Sequence, residues 1–434
     1  MKRVAFYTLG CKVNQYETEA MTELFTNAGY EICDFEEQAD VYVINTCTVT
    51  GVSDKKSRQM IRRAKKQNPD SVLIVTGCYA QTAPEDVKKI EGVNLIIGTQ
   101  DRGNIVSLAE QLSPQSSPAC TVHDIMKTHQ FEDLTVTNYH DRTRAYLKIQ
   151  EGCNQFCSYC MIPYARGPIR SRDFHEVLSE TERFAKEGFC EIIFVGIHVA
   201  SYGVDTGNYD LADLLIAANK IEGISRIRLS SIEPMTLNQE FIDKIKGCDK
   251  LCPHFHLSLQ SGCDETLRRM NRRYTCSQYH AIVDGIRKNF PDAAITTDIM
   301  VGFPGETEEE FAKTCDFVTE IAFADAHIFP YSPRTGTPAA KRPDQILNHV
   351  KEERSKKIAE ITKQNRHAFR SRFIGQTMEV LFEQPSHTHP GYFEGKTRNY
   401  LPVIVKTEDD LSGQTHSVML RACSNDVIEG VLER

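Results

Sequence analysis

The chain has 434 residues, 40% of them hydrophobic and 25% charged, enough for two to four domains that each bury a core. No window approaches 18 consecutive apolar residues and the N-terminus has no signal-like run, so neither a membrane span nor a signal peptide is expected, and the fifteen cysteines fit a reducing cytoplasm where metal binding is their usual purpose. A formal net charge of −8 argues against a general nucleic-acid binder, although residues 55–66 gather seven cations without an anion and a second basic run covers 351–372.

Strand and helix signals alternate through the first hundred residues. Apolar, β-prone runs lie at 3–9, 41–45, 72–76 and 93–97, and helical patterns at 16–28, through the first basic run, at 84–90 and at 102–112. Buried strands alternating with helices predict a parallel sheet covered on both faces. Cys11, Cys47 and Cys78 each follow one of these strands, where open α/β sheets build ligand sites along a shared edge. Gly10 and Gly77 relieve crowding beside a bulky ligand. These thiols are candidates for a 4Fe–4S cluster with one iron free of protein; the alternative is three buried thiols.

Residues 113–118, Ser-Pro-Gln-Ser-Ser-Pro, have the composition of a domain joint, and a β-prone segment at 121–139 leads to an apolar run at 145–149. Next come Cys153, Cys157 and Cys160 at spacing C-x3-C-x2-C. Soft thiolates select zinc, Cu(I) or iron–sulfur clusters, a structural zinc wants four ligands, and no fourth Cys or His follows nearby. Three thiolates can hold three corners of a 4Fe–4S cube and leave one iron open; free thiols or a zinc clip are the alternatives. Strands are then expected at 191–196, 224–231, 255–260, 295–301 and 327–331, with helices at 175–187, 211–219, 238–245, 277–289 and 308–321. With the strand before the cysteines this makes six βα units, a partial TIM-like (β/α)6 barrel whose site gathers at the carboxyl ends of its strands. Glu233 and Gln260 end strands, and Arg166, Arg170 and Arg172 follow the cysteine loop, where a guanidinium suits a carboxylate or phosphate. Cys248, Cys252 and Cys263 are read, with the remaining cysteines, as ordinary thiols.

A basic helix is expected over 344–373, then strands at 377–382, 392–396, 403–405, 417–422 and 427–431. Five short strands in sixty residues suggest a small antiparallel β-barrel of OB-like character, a common platform for single-stranded nucleic acid. The chain has no Trp, so base stacking falls to Tyr, Phe or His, and Tyr392, Lys396, Arg398 and Tyr400 are the candidate RNA contacts. The domains are drawn at 1–113, a linker and β segment at 114–139, a core at 140–372 and the small barrel at 373–434.

The loop Glu151-Gly152-Cys153-Asn154-Gln155-Phe156-Cys157-Ser158-Tyr159-Cys160 resembles the cluster loop of the radical S-adenosylmethionine (SAM) enzymes. Residues 8–17, 45–49 and 77–80 resemble the N-terminal domain of their methylthiotransferase branch, and the last sixty residues resemble the RNA-binding TRAM domain. The resemblance implies an α/β multidomain enzyme with a radical SAM barrel and two 4Fe–4S clusters. Cys153, Cys157 and Cys160 would hold the radical-generating cluster, and Cys11, Cys47 and Cys78 an auxiliary cluster that carries or relays sulfur. SAM would serve as methyl donor and radical source, with Glu233, Gln260 and Arg172 as its contacts. Residues 12–19, 170–172 and 196–198 look most like the branch acting on N6-threonylcarbamoyladenosine. The implied reaction is 2-methylthiolation of that base at position 37 in the tRNA anticodon stem-loop, with an external electron donor and a sulfur source as partners and no membrane. Alternatives are isopentenyladenosine in tRNA or a ribosomal-protein aspartate as substrate, an iron–sulfur electron carrier, or an iron–sulfur RNA-binding regulator without catalysis.

Overall fold

The computed structural model describes residues 1–136, 143–424 and 427–433. Its first sheet is built from short apolar strands: β1 (Arg3–Thr8), β2 (Glu31–Cys33), β3 (Val41–Thr46), β4 (Val72–Gly77), β5 (Leu95–Ile96) and β6 (Ala119–Cys120). They pair in parallel in the order β2-β1-β3-β4-β5-β6. Helices α1 (Lys12–Asn27), α2 (Gly51–Gln67), α3 (Cys78–Thr82), α4 (Pro84–Lys88) and α5 (Ile105–Glu110) connect them. Every residue of β3 and β4 is buried, as a strand sandwiched between helices must be. The short strands β2 and β6 escape a reading by hydrophobic runs, because Glu31–Cys33 is mostly exposed and Ala119–Cys120 has only two residues. In the described part of 121–139 the structure has one 3-10 turn at Ile125–Lys127 and no strand, while residues 137–139 and the expected domain boundary at 139/140 lie outside the described residues.

The central unit follows as β7 (Arg144–Glu151), α6 (Ile162–Arg166), β8 (Arg170–Ser171), α7 (Phe174–Lys186), β9 (Glu191–Gly196), α8 (Leu211–Ala218), β10 (Arg226–Leu229), α9 (Gln239–Ile245), β11 (His254–His256), α10 (Asp264–Arg269), α11 (Cys276–Asn289), β12 (Ala294–Val301), α12 (Glu308–Ile321) and β13 (Asp325–Pro330). Capping boxes start α8, α11 and α12, where the N-cap side chain and the third helical residue satisfy each other's backbone. The strands β10-β9-β7 and β11-β12-β13 are parallel, and isolated parallel bridges at Ile227 with Leu251 and Ile232 with Leu257 join the two sheets between β10 and β11. This is the six-stranded partial barrel, with β8 added antiparallel at its edge. Ala145, Leu147 and Ile149, with Ile192, Phe194, Ile227, Leu229, Phe255 and Leu257, pack outward against the helices as one core. Strand alternation then turns Arg144, Lys148, Glu191, Arg228, His254 and His256 toward the lumen, which is therefore polar. Val13 of α1 packs on Ile193 and Val195 of β9, so the first unit covers part of that lumen.

Helix α13 (Asn348–Ser371) uses two cations of the second basic run for its own docking and leaves Lys356, Lys357 and Lys363 exposed. Lys351 is buried and donates to the Tyr331 carbonyl at 2.9 Å, and buried Arg354 pairs with Glu306 at 2.7 Å, so these cations dock the helix. The first basic run presents Lys55, Lys56, Arg62, Arg63 and Lys66 on the exposed face of α2.

The last strands, β14 (Thr377–Pro385), β15 (Tyr392–Thr397), β16 (Pro402–Lys406), β17 (Thr415–Ser424) and β18 (Val427–Leu432), close a barrel in the order β14-β15-β16-β18-β17. It is not wholly antiparallel: β17 returns along β14, so β18 enters the gap beside β16 in the same direction. Polar bonds fix this barrel to the central unit, including Arg144 to Glu383 at 2.6 Å, Arg226 to Glu379 at 3.0 Å and Asn399 to the Asp292 carbonyl at 3.0 Å. Among the described residues no helix is long and apolar enough to cross a membrane.

Candidate active site

Cys11, Cys47 and Cys78 follow β1, β3 and β4, three neighbours in the sheet, which is why residues so distant in sequence converge. Thr46 pairs with Gly77, so the next residues, Cys47 and Cys78, leave the sheet side by side. Gly77 has φ +93°, and a Cβ there would meet the Asn45 Oδ1 at 2.4 Å, so the turn requires glycine. Asn14 ties the edge together, donating to the carbonyls of Leu9 at 2.7 Å and Thr46 at 3.0 Å. Burial pushes the Cys47 and Cys78 thiols up from their ordinary range, while Arg166 pulls both down; Cys11, at the head of α1, is exposed.

That arginine joins the two halves of the site. Arg166 ends α6, just beyond the second cysteine loop, and is fully buried. Its Nε donates to Cys78 Sγ at 3.1 Å, Nη1 to Glu17 at 2.5 Å and to Glu151 at 3.2 Å, and Nη2 to Asn14 at 2.6 Å. Glu17 also meets Arg102 at 2.5 Å and Lys148 at 2.9 Å, and Lys148 reaches Glu151. Burial works against ionisation here, but Arg102, Arg166 and Lys148 hold the Glu17 carboxyl well below its usual range. Arg166 is thus engaged by Cys78, Asn14, Glu17 and Glu151 together, and Arg170 is fully buried against the carbonyls of Thr128 and Pro168.

The second loop follows β7. Its Ser158 is held by the 269–271 turn, with N–H to the Met270 carbonyl at 2.9 Å and Oγ to the Arg269 carbonyl at 2.8 Å. Arg272 donates to Cys157 Sγ at 3.5 Å and pairs with Glu233 at 2.9 Å. Burial pushes the Cys153 thiol up to about 11 and the Cys160 thiol up to about 12, with Cys157 adding in both cases. Gly152 has φ +77°, and a Cβ would fall 1.8 Å from the Pro168 carbonyl oxygen. Gly152→Ala is expected to displace the loop and cost about 1–3 kcal/mol from backbone strain alone, read as a lower Tm of the iron-free protein.

All these cysteines are free thiols. Among the described residues no three His, Cys, Asp or Glu side chains are drawn together tightly enough for a single metal ion. A cube of four irons holds its cysteines further apart, and each triad here, three soft donors with one guanidinium alongside, fits such a cluster.

The expected small-molecule contacts separate. Glu233 lies beyond β10 beside Arg272, and Gln260 lies beyond β11 with φ +68°, its backbone bonded to Asp298 and Met300 of β12 at 2.8 Å each. Glu233 is near enough to the Cys153 thiol to help push it up. Arg172 stands apart from Glu233 and Gln260: it is buried with Glu180 and bonds Asp133 at 2.8 Å. The RNA candidates also divide. Arg398 donates to the carbonyls of Ser225 at 3.2 Å, Leu251 at 3.4 Å and Asp249, which makes it a docking residue. Tyr392 is bonded to Glu429 at 3.1 Å, whereas Lys396 and Tyr400 turn toward the barrel floor.

Asn14, Glu17 and Arg272 escaped the sequence reading. Asn14 and Glu17 stand three and six residues after Cys11, one helical face, and that spacing could have exposed them. Arg272 stands in no pattern.

Comparison with known proteins places these observations. Residues 3–98 match Uncharacterized protein family UPF0004 and residues 147–318 match the Radical SAM superfamily. Threonylcarbamoyladenosine tRNA methylthiotransferase MtaB of Bacillus subtilis (strain 168) is 45% identical, covering 100% of this chain and 97% of its own. The MtaB of Aquifex aeolicus (strain VF5) is 39% identical over 92% of this chain and 98% of its own. A tRNA-2-methylthio-N(6)-dimethylallyladenosine synthase of Acetivibrio thermocellus is 36% identical over 98% of this chain and 90% of its own. In fold alone, the radical SAM methyltransferase TsrM from Kitasatospora setae superposes with a TM-score of 0.56 at 15% identity, over 78% of this chain and 77% of that one.

Proposed function

The chain belongs to the radical SAM methylthiotransferases of the MtaB type, and from that premise we propose that it converts N6-threonylcarbamoyladenosine at position 37 of tRNA to its 2-methylthio derivative. The observation that carries this reading is the buried bridge of Arg166, which links Cys78 of one triad to the helix that directly follows the other. Two chemistries that must act on one base are thereby held in one rigid frame.

We assign one 4Fe–4S cluster to Cys153, Cys157 and Cys160 and an auxiliary one to Cys11, Cys47 and Cys78. When bound, these clusters and SAM supply the electron, radical, sulfur and methyl group that side chains cannot. Carbon 2 of adenine is neither acidic nor electrophilic enough for general acid–base work, so the protein binds, orients and keeps out water. Glu233 offers a carboxylate for a ribose hydroxyl or ammonium group of SAM, and Arg272 holds it in place at 2.9 Å. Gln260 can both donate and accept beside it. Tyr159, Met270 and Phe303 pack behind the loop and exclude solvent from it. The exposed cations of α2 suit the phosphates of an anticodon stem-loop. An electron donor and a sulfur source complete the set of partners.

The test is a reaction of the anaerobically reconstituted protein with SAM, a reductant and a sulfur source on two stem-loops, one carrying threonylcarbamoyladenosine and one dimethylallyladenosine. A methylthio mass gain on the first alone is expected. Gain on the second alone, or on neither, overturns the proposal.

A further inference from the structure

The barrel floor, at the opposite end of the strands from Cys153, collects more positive charge than its neighbours neutralise. Lys12 comes from α1, Arg144 and Arg228 from β7 and β10, and Lys396 and Tyr400 from the small barrel. The Arg228 guanidinium lies 4.6 Å above the Tyr400 ring, Lys396 Nζ 4.0 Å and the Arg144 guanidinium 5.7 Å from its centre. His254 stacks on the same ring at 4.6 Å. One buried carboxylate, Glu191, serves Arg144 at 2.9 Å, Arg228 at 3.0 Å and Arg226 at 3.4 Å together. Among the described residues Lys12 and Lys396 meet no carboxylate at all. Arg228 is 1% exposed, yet its Nη1 has no hydrogen-bond partner, nor has His254 Nδ1. Burial would raise the Tyr400 phenol, but Lys396, Lys12 and Arg144 bring it down to about 8. Docking of the small barrel explains Arg398, Glu379 and Glu383. Lys396 bonds the Tyr400 hydroxyl, but docking does not explain bringing together two ammonium groups that lack a carboxylate and repel each other and the arginines.

Resting on the function proposed above, we propose that this floor is the specificity site for the N6 substituent of the substrate, with Lys12, Lys396 and the open Nη1 of Arg228 receiving the carboxylate of its threonyl group. The position suits the chemistry. Lys12 is the residue after Cys11, so one cation of the floor comes from the same turn as a thiol of the auxiliary triad, and on adenine carbon 2 and the N6 substituent flank the same ring nitrogen. Sulfur delivery to the one and charge recognition of the other then occur on one edge of the base. A dimethylallyl group brings no charge to this floor and leaves the ammonium groups unpaired, which disfavours it.

Binding to the reconstituted holoenzyme decides the matter, with three stem-loops differing only at position 37: threonylcarbamoyladenosine, its threonyl carboxamide, and adenosine. The wild-type protein should bind the first at least about tenfold more tightly than the other two, as a charge-assisted bond to a buried group is worth. Lys12→Gln/Lys396→Gln should bind all three alike, with affinity for the adenosine loop changed less than about twofold. Lys12→Gln and Lys396→Gln made singly, each a gentler change, should each lower the same ratio and read it should the double variant melt early. An equal loss for all three loops would mean phosphate contact and overturn the proposal. So would an unchanged ratio, or a wild-type protein that does not distinguish carboxylate from carboxamide. Methylthiolation of threonylcarbamoyladenosine by a protein that fails this ratio test would sink the floor site alone; modification of dimethylallyladenosine instead would sink the assigned reaction.

Discussion

Replacing Cys11, Cys47 and Cys78 together with Ala is expected to lower the iron of the anaerobically reconstituted protein from about eight to about four per chain and to abolish the methylthio product. Reductive cleavage of SAM should persist, because Cys153, Cys157 and Cys160 follow a strand of the other sheet and are braced there by Ser158 and Arg272. The converse variant, with Cys153, Cys157 and Cys160 changed to Ala, should also keep about four irons but lose SAM cleavage as well. The pair of results separates two clusters from one. Retention of all the iron by either variant would remove the assignment, since these thiolates are the ligands assigned to each cluster.

Arg166→Met should be the most destabilising single change at the site, by about 3–5 kcal/mol, measured by denaturant unfolding of the iron-free protein. The side chain neutralises Glu17 and Glu151 where neither reaches water, and both carboxyls are held below their ordinary range despite burial. Its removal leaves two buried anions to Lys148 and Arg102 alone. Arg166→Lys should recover only part of the loss, because an ammonium cannot reach Cys78, Asn14, Glu17 and Glu151 at once. The pH dependence carries the same sign. A carboxyl with a depressed native pKa contributes its full stability above the unfolded value of about 4.3 and loses it as pH falls toward the depressed one. The wild-type protein should therefore stay folded further into acid than Arg166→Met. An unchanged acid midpoint would show that Glu17 is not held by this arginine.

What could be read from residues was whatever a periodic pattern or a fixed spacing announces. The strands β3, β4, β9 and β12 declare themselves by apolar runs, and Cys47 and Cys78 by their place just beyond them. The cysteine loop at 153–160 is legible from spacing alone. Arginines were not, because a guanidinium looks the same in sequence whether it meets solvent, a phosphate or a buried carboxylate. Arg166, Arg170 and Arg172 were candidates of which one could meet a carboxylate or phosphate, and Arg398 a candidate RNA contact, and each also bonds a partner from another segment. Arg272 and Lys12 show the opposite failure: contacts spanning 115 residues for one, and convergence of three units for the other, leave no local trace. The parallel β16–β18 pair was missed for the same reason, as strand order depends on which gap the chain fills last.

Mass spectrometry of tRNA nucleosides from a strain lacking this chain tests the central claim most directly, because substrate and product are seen together. The account predicts that 2-methylthio-N6-threonylcarbamoyladenosine disappears, that its unthiolated precursor accumulates, and that the wild-type chain but neither triple-alanine variant restores it. Persistence of the 2-methylthio nucleoside, or loss of the dimethylallyladenosine derivative in its place, would contradict it.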